Sequence, residues 1–227
     1  MELIEKKSKL GEGGFGSVYL AYDKMIDKEV AIKVLNFGSN SSMSHMFTKE
    51  IEALGQLKHK GIVRLYDYFP IPKKQQLIVV MEYLKGGELY DLWKARPHRC
   101  FSEKDTYHLI SQILKAINYC HMGKIIHRDL KFANIMIAKP PLYEENGKLD
   151  IESVDLKIVD FGIFGSIAGI RMENINCGSL KFMAPELLSG HTHSTPKIDI
   201  WSIGLMFHAM LIGWLPFNKS TKEDLEK

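Results

Sequence analysis

Cysteine is scarce in this chain. Its 227 residues include three cysteines (Cys100, Cys120 and Cys177), an odd number in which no two form a C-x-x-C pair. This usage excludes a disulfide scaffold and argues against a structural zinc site. We therefore expect reduced thiols and a cytoplasmic location, with the nucleus left open as a second compartment.

The sequence also lacks a block of one charge sign. Lysine and arginine total 30 against 27 acids, a net charge of +3, and no run of basic residues forms a patch by itself. We therefore expect no nucleic-acid partner. The first residues lack an apolar core segment, so no secretory signal peptide is expected. With 45% apolar residues, the chain can bury an ordinary core.

Only one stretch is long and uncharged. Residues 200–217 contain no Asp, Glu, Lys or Arg, which meets the approximate length of a membrane-spanning helix. Polar or helix-breaking residues interrupt it, among them Ser202, Gly204 and Pro216. A helix buried on all sides of a globular core gives the same pattern. We favour that interpretation and expect no membrane insertion.

Hydrophobic patterning divides the chain into two parts. Short β-branched or aromatic segments predict strands at 17–22, 29–35, 62–69 and 76–81, with a helix around residues 47–57. Gly86-Gly87 then separates this β-rich part from a mainly helical one.

The helical part begins with a recognisable helix start. Ser102 followed by Asp105 resembles a capping box, and a stripe of apolar residues follows it. The stripe consists of Leu109, Ile110, Ile113, Leu114 and Ile117. Residues 138–155, with two prolines and five acids, predict a surface loop.

The segment Gly11–Gly16 fits the pattern G-x-G-x-x-G. Such glycines let backbone N–H groups approach phosphate oxygens. A Rossmann fold requires a helix directly after the third glycine, whereas residues 17–20 predict a strand. Two interpretations remain open from the residues alone: a β-hairpin that covers a nucleotide, and an ordinary glycine-rich hairpin turn.

Lys33 is a charged residue inside an apolar strand, at the end of Val30–Lys33. An unpaired ammonium group there would be costly, so Lys33 requires a phosphate or a carboxylate. Glu50, on the predicted helix, is a natural partner. The alternative is a lysine that points to solvent from an edge strand.

Taken in order, eight segments resemble the eukaryotic protein kinase family, of the Ser/Thr type and similar to the calcium/calmodulin-dependent group. They are Gly11–Val18, Val30–Lys33, Glu50, Met81–Leu84, His127–Asn134, Asp160–Gly162, Ala184–Glu186 and Asp199–Gly204. The resemblance implies a two-lobed α+β fold. Residues 1–81 would form a small antiparallel β-sheet lobe with one helix, 82–87 a hinge, and 88–227 a larger, mostly helical lobe.

The resemblance also implies a reaction, the transfer of the γ-phosphoryl group of ATP to Ser or Thr hydroxyls of proteins, with Mg²⁺. Asp129 would accept the hydroxyl proton and Lys131 would steady the γ-phosphate. Lys33, held by Glu50, would bind the α- and β-phosphates, and Asn134 and Asp160 would bind Mg²⁺. Taken singly, Asp129, Asn134 and Asp160 are also ordinary turn residues.

The implied nucleotide pocket is made mainly of glycines and apolar residues, with three charged residues. Its members are Leu10, Gly11, Gly13, Gly14, Phe15, Gly16, Val18, Ala31, Lys33, Met81, Glu82, Leu84, Glu88 and Met136. Glu88 also resembles the family's acidic contact to a substrate arginine. Ala133 stands where relatives that prefer basic substrates often carry an acid, so that preference is left open.

Two features depart from the family pattern. Asn134 and Asp160 are 26 positions apart, which implies an extra acidic loop. The chain also stops soon after Phe217, so we expect the family's last helices, and the arginine that pairs with Glu186, to be missing. A truncated product with a destabilised large lobe would follow. A catalytically impaired kinase-like scaffold or nucleotide-binding module is therefore the alternative function, and a small-molecule phosphotransferase the third.

Overall fold

The computed structural model describes residues 4–13, 16–36, 51–52, 54–161, 180–188 and 195–217. These residues form two compact units. The first contains the segments up to Lys58 together with Val63–Leu84, and the second contains His59–Ile62 and the chain from Lys85 onward. The predicted boundaries at 81, 82–87 and 88 stay a prediction.

The first unit is built on a five-stranded antiparallel sheet. Its strands are β1 (Ile4–Gly13), β2 (Gly16–Asp23), β3 (Lys28–Asn36), β4 (Leu65–Ile71) and β5 (Gln76–Glu82), in the order β1-β2-β3-β5-β4. Residues 51, 52, 54 and 55 are helical. They agree with the predicted helix, of which Phe47 and Glu50 lie outside the described residues.

One face of this sheet carries the unit's core. Alternate residues of the central strands are buried there: Ala21, Val30, Ile32, Ile78 and Val80. Because side chains alternate across a strand, the residues between them lie on the opposite face. Three predicted strands, β2, β3 and β5, are confirmed, and the predicted strand at 62–69 overlaps β4, which begins at Leu65. β1 was not predicted, because its sequence IEKKSKLGEG has no apolar alternation.

The second unit is mostly helical. It contains α1 (Leu89–Lys94), α2 (Glu103–Met122), α3 (Pro185–Leu188) and α4 (Lys197–Ile212), with a two-stranded ribbon of β6 (Ile135–Ile137) and β7 (Leu156–Ile158). The Ser102 side chain accepts a hydrogen bond from the Asp105 N–H at 3.1 Å, which confirms the predicted cap of α2. The predicted stripe is buried except for Leu114, which is 41% exposed because it lies on the outer side of α2.

Helix α4 is the uncharged stretch that required a membrane test. It is 16 residues long, and eight of them are buried. In the part of the chain that the structure describes, no helix has the combination of length and apolar character that a membrane crossing needs. The interpretation as a buried helix is consistent with its packing.

The segment 138–155 is more ordered than the predicted surface loop. Tyr143 pairs with Leu149 in a short hairpin, and Ile151–Ser153 forms a 3-10 turn. Leu149, Ile151 and Val154 are buried. The prediction of a plain surface loop is wrong, because apolar residues at its end pack into the unit and the Gln112 side chain of α2 donates to the Val154 carbonyl at 2.9 Å.

Glu186 also differs from its expectation. It is half-buried rather than buried. It also has an interaction partner. The expected buried, unpartnered carboxylate is therefore not observed.

Gly86 is a position where a side chain cannot be accommodated. A Cβ there would lie 2.5 Å from the Lys139 carbonyl oxygen and 2.6 Å from that of Ile137. We expect Gly86→Ala to lower the free energy of unfolding by about 1–3 kcal/mol, because backbone would have to move. Gly204→Ala is the matched control: nothing lies within 4 Å of that Cβ, and helix propensity should raise stability by about 0.5–1 kcal/mol. Equal urea midpoints for the two variants would contradict this.

Candidate active site

The glycine-rich segment closes the hairpin between β1 and β2. Gly13 pairs with Gly16, and strand β2 follows directly. A helix after the third glycine is thus absent, and the Rossmann alternative is excluded. Gly16 has φ +152°, and a Cβ there would collide with the Val34 carbonyl oxygen, so packing alone already requires glycine at this position. Gly11 lies on β1, while Gly14 and Phe15 lie outside the described residues.

Four predicted nucleotide contacts share the sheet face opposite the core. Val18 pairs with Lys33, and Ala31 pairs with Met81. Residues paired across antiparallel strands, and residues two apart along one strand, point to the same side. The structure thus brings Val18, Ala31, Lys33 and Met81 together on one face of the first unit.

Lys33 lies in β3, between β2 and β5. The alternative of a lysine pointing out from an edge strand is therefore wrong. Its side chain is half-buried, and it has an interaction partner. Because Glu50 lies outside the described residues, the pairing of Lys33 with Glu50 stays a prediction.

The end of β5 presents backbone groups for recognition. The Glu82 N–H donates to the Arg64 carbonyl at 2.8 Å. Leu84 is 5% exposed, and its main chain makes no hydrogen bond within the described residues. A buried, unused N–H and C=O pair can recognise the edge of a heterocyclic base. Leu10, the other apolar member predicted here, is 44% exposed on β1.

The second unit gathers two predicted catalytic residues, Asp129 and Lys131, and the predicted metal ligand Asn134 in one loop, residues 127–134. Lys131 Nζ lies 2.7 Å from Asp129 Oδ2, and Asn134 Nδ2 donates to the same oxygen at 3.0 Å. Asn134 Nδ2 also donates to the Asp129 carbonyl at 2.7 Å. Asp129 Oδ2 is thus held in place by two donors, while Oδ1 accepts no hydrogen bond within the described residues. The Asp129 side chain remains 40% exposed.

The ribbon places Asn134 and Asp160 at the same end. Ile135 pairs with Ile158, and the Val159 N–H donates to the Asn134 carbonyl at 3.0 Å. Both amide hydrogens of Asn134 are used on Asp129, so its Oδ1 is the atom available to a cation. Asp160 adopts φ +54°, a left-handed conformation that aspartate tolerates better than most residues. An amide oxygen and a carboxylate fit Mg²⁺, which keeps several of its waters.

Among the described residues there is no group of three or more His, Cys, Asp or Glu side chains that could hold a metal ion. A site with two protein ligands, as predicted for Asn134 and Asp160, is a smaller arrangement than that. The assignment of these two residues to Mg²⁺ stays a prediction. Lys33 belongs to the first unit and Asp160 to the second, so their convergence on one nucleotide also stays a prediction.

Met136 and Glu88 are brought together in the second unit. They form an isolated antiparallel bridge, and Met136 is half-buried on β6. Burial raises the pKa of the Glu88 carboxyl; the nearby Asp91 carboxylate raises it further and Lys131 opposes the shift. Two neighbouring carboxylates form a site that favours a cation.

His127 connects the catalytic loop to the segment containing Asp160. Its Nε2 donates to the Val159 carbonyl at 2.9 Å, and its Nδ1 accepts from the Asp129 N–H at 3.3 Å. These partners select the neutral tautomer with hydrogen on Nε2. The ring is fully buried, and burial lowers the pKa of His127 below its usual value.

We expect acid to destabilise the fold through His127. Its folded pKa lies below the ordinary 6.5, so the unfolded chain takes up a proton that the folded chain refuses. Stability is therefore fully present above about pH 6.5 and falls as the pH drops toward the folded pKa. Urea unfolding at about pH 7.5 and about pH 5.5 measures this in the native chain and in His127→Gln. An equal pH dependence in both would contradict the prediction.

Asp199 is a functional residue to which the sequence assigned no role. It lies in the first turn of α4 with no exposed area. Its carboxylate accepts hydrogen bonds from the backbone N–H groups of His127 at 2.9 Å and Arg128 at 2.8 Å, and His121 Nε2 lies 2.8 Å away. A carboxylate directly before the uncharged residues 200–212 of this helix was the signal available in the sequence. Its position fixes the loop that carries Asp129.

An aromatic stack supports the same loop from another side. The Phe132 ring stacks on Trp93 with centroids 4.8 Å apart, and contacts Phe182 edge-on at 6.0 Å.

Cys120, also near Asp199, is buried, and this burial raises the pKa of its thiol to about 12. The thiol is therefore an unreactive packing group, and Cys100 is free as well. Cys177 lies outside the described residues.

Comparison with known proteins identifies the class of protein. The model of the family described as "Protein kinase domain" matches residues 4–227. The chain therefore belongs to the protein kinase domain family.

Individual relatives agree with this family. The chain is 36% identical over 211 residues to the carbon catabolite-derepressing protein kinase of Saccharomyces cerevisiae, covering 92% of this chain and 30% of that protein. It is 36% identical to serine/threonine-protein kinase 33 of Bos taurus, covering 95% of this chain and 43% of the relative. It is 38% identical to an Aurora kinase of Patiria pectinifera, covering 92% of this chain and 47% of the relative. The chain thus spans about a third to a half of these proteins.

These matches confirm the family predicted from the sequence, its α+β fold and the class of enzyme, a serine/threonine kinase. The narrower resemblance to the calcium/calmodulin-dependent group is consistent with relatives such as NUAK family SNF1-like kinase 1 of Homo sapiens, which is 31% identical over 217 residues.

Proposed function

We propose that this chain transfers the γ-phosphoryl group of ATP to Ser or Thr hydroxyls of protein substrates, with Mg²⁺. The observation that carries the proposal is the fixed carboxylate of Asp129. Lys131 and Asn134 hold its Oδ2, and its Oδ1 accepts no hydrogen bond within the described residues. A general base in this state can receive a hydroxyl proton without first breaking another contact.

In this reaction the substrate oxygen bonds to the γ-phosphorus while the bond to the β–γ bridging oxygen breaks and ADP leaves. The hydroxyl proton passes to Asp129 Oδ1. The Lys131 ammonium, 2.7 Å from Asp129, is close enough to neutralise charge on the transferred group. Asn134 Oδ1 and the Asp160 carboxylate would hold Mg²⁺, which neutralises the phosphate oxygens when bound.

The first unit would supply the nucleotide-binding surface. Its noncore sheet face carries Val18, Ala31 and Met81 for the adenine ring and Lys33 for the phosphates. The unused main-chain groups of Leu84 would recognise the base edge. The glycine hairpin would cover the phosphates through its backbone N–H groups.

The decisive experiment is transfer from radiolabelled ATP to a peptide library with Ser, Thr or Tyr acceptors. Incorporation into Ser and Thr peptides supports the proposal, and Asp160→Asn should abolish most of it. Nucleotide binding without transfer would favour the alternative, a catalytically impaired kinase-like scaffold or nucleotide-binding module. Transfer to Tyr peptides alone would overturn the acceptor assignment.

Glu88 gives a second test, on substrate choice. We propose that Glu88, with Asp91 beside it, favours a basic residue near the acceptor. Glu88→Gln should lower the preference for arginine-containing peptides by about two- to fivefold, the range expected for a partly exposed charge pair. The ratio of kcat/KM for matched peptides with Arg and Gln measures it. An unchanged ratio would show that Glu88 has no part in substrate choice.

A further inference from the structure

Four basic side chains crowd the connection between α1 and α2. Lys94, Arg96, His98 and Arg99 stand close together in sequence; three are exposed and Arg96 is half-buried. Within the described residues, none of them forms an ion pair with a carboxylate. They make this connection locally basic, and a basic surface attracts anions. This segment is called the Arg96–Arg99 turn.

The backbone of the Arg96–Arg99 turn is strained. The Arg99 N–H donates to the Arg96 carbonyl at 2.9 Å, which closes a tight turn around Pro97. His98 has φ 52° and ψ 13°, and Arg99 has φ 57°. Positive φ after a proline is the usual place of glycine in such a turn. Both side chains are exposed.

The turn is firmly anchored at both ends. On one side the Trp93 indole N–H donates to the Ala209 carbonyl at 3.1 Å. On the other side the Phe101 N–H donates to the Met210 carbonyl at 2.8 Å. Gly213 packs so closely on the His98 carbonyl that a Cβ would collide with it. The turn is therefore held against the end of α4, and the backbone that carries its basic side chains is fixed by these contacts.

Aromatic rings position the charged groups. The Arg99 guanidinium lies 5.8 Å from the Trp93 ring centroid, and the Arg96 guanidinium lies 5.5 Å from that of Phe101. At these distances each guanidinium makes a cation–π contact, which uses none of its N–H groups as a hydrogen-bond donor to an oxygen. Arg96 Nε is also buried with no hydrogen-bond partner in the described structure. The hydrogen-bonding capacity of the two arginines is thus not satisfied within the described residues.

We propose that the Arg96–Arg99 turn binds the phosphate of a phosphorylated Ser or Thr in a protein segment. A phosphate monoester carries roughly −1.5 to −2 charges on three acceptor oxygens. Planar guanidinium groups bind such oxygens in pairs. Two arginines, with a lysine and a histidine within three residues of them in sequence, match this compact dianion better than a single carboxylate. The inference rests on the proposed function in one respect: Ser/Thr kinases generate such phosphorylated segments.

Direct binding tests the proposal without relying on catalysis. The full chain is titrated into a fluorescein-labelled peptide library built around a fixed phosphoserine, and anisotropy is measured at low salt. The unphosphorylated library and a glutamate-substituted library serve as competitors. We expect the phosphorylated library to bind at least about tenfold more tightly than either, because a charge-assisted paired contact is worth about that factor.

A matched pair of variants assigns the site. Arg96→Gln with Arg99→Gln should weaken phosphopeptide binding about tenfold. Lys73→Gln with Lys74→Gln removes the same charge from another proline-led 3-10 turn, Pro72–Lys74, and should leave binding within about twofold. Thermal unfolding confirms that each variant is folded. Should the Arg variant not fold, the single Arg99→Gln, whose side chain is exposed, takes its place.

Three results would overturn the inference. Equal affinity for phosphorylated and unphosphorylated peptides would show that no phosphate is recognised. Equal losses in the two paired variants would show only general electrostatic attraction. Tighter binding of a single-stranded oligonucleotide than of the phosphopeptide would assign the surface to nucleic acid instead. None of these outcomes bears on phosphate transfer, so the proposed function can stand or fall separately.

Discussion

The Asp129→Asn variant should lose roughly 10²–10⁴-fold in kcat, as expected when a general base is removed. Asparagine has nearly the same shape, but its amide cannot accept the hydroxyl proton. It would also place either an amide nitrogen or a neutral oxygen beside the Lys131 ammonium and the Asn134 amide. Steady-state transfer from radiolabelled ATP to the best Ser/Thr peptide measures the loss.

Asp155→Asn is the matched control for this variant. Asp155 is exposed, and its side chain makes no hydrogen bond or ion pair within the described residues. Its kcat should stay within a factor of about two of the native value. ATP binding by calorimetry should survive in both variants, because Asp129 is not proposed to contact the nucleotide. A native kcat in Asp129→Asn would remove Asp129 from the mechanism.

Asp199→Ala should lower the free energy of unfolding by about 3–5 kcal/mol, the range seen when one member of a buried charged network is removed. The carboxylate is fully buried, and its loss leaves the N–H groups of His127 and Arg128 without an acceptor. Activity should fall as well, since those two residues begin the loop that holds Asp129. Urea unfolding followed by tryptophan fluorescence measures the stability. All three tryptophans, Trp93, Trp201 and Trp214, lie in the second unit.

Two comparisons make the Asp199 result specific. Asp199→Asn keeps one acceptor oxygen and should cost less than the alanine variant. Asp155→Ala, on the surface, should change stability by no more than about 0.5 kcal/mol. If Asp199→Ala unfolds at the native urea concentration, the three hydrogen bonds to its carboxylate do not stabilise the loop. A loss of stability with native kcat would separate the two roles.

The strands were predictable where β-branched and aromatic residues form short runs. β3 and β5 bury runs of three and four consecutive residues, so their apolar, β-branched sequences carry a clear signal. β1 forms because its backbone pairs with β2, and most of its side chains are exposed. Its composition therefore gives little indication of a strand. The hairpin in 138–155 was missed for a related reason: three buried residues near its end are hidden among acids and prolines.

The candidate site was predictable in its residues but not in its contacts. Asp129, Lys131 and Asn134 stand within six positions, so a short motif reveals them together. Asp199 contacts His127 across 72 positions, and no local pattern indicates such a pair. Lys33 shows the intermediate case. Its strand placement required an anion, and the central position of β3 confirmed that it does not sit at an edge.

The hairpin at residues 142–150 has a practical consequence for experiments. The Asp150 N–H donates to the Leu142 carbonyl at 3.0 Å, so the hairpin's ends are already joined. Its tip, Asn146-Gly147, is exposed, and Gly147 has no neighbour within 4 Å of a would-be Cβ. Extra residues at such a tip cost little, since loop closure depends only weakly on length. An epitope tag or a fluorescent reporter can therefore be inserted there. Imaging or pull-down would then be possible without a change at either chain terminus.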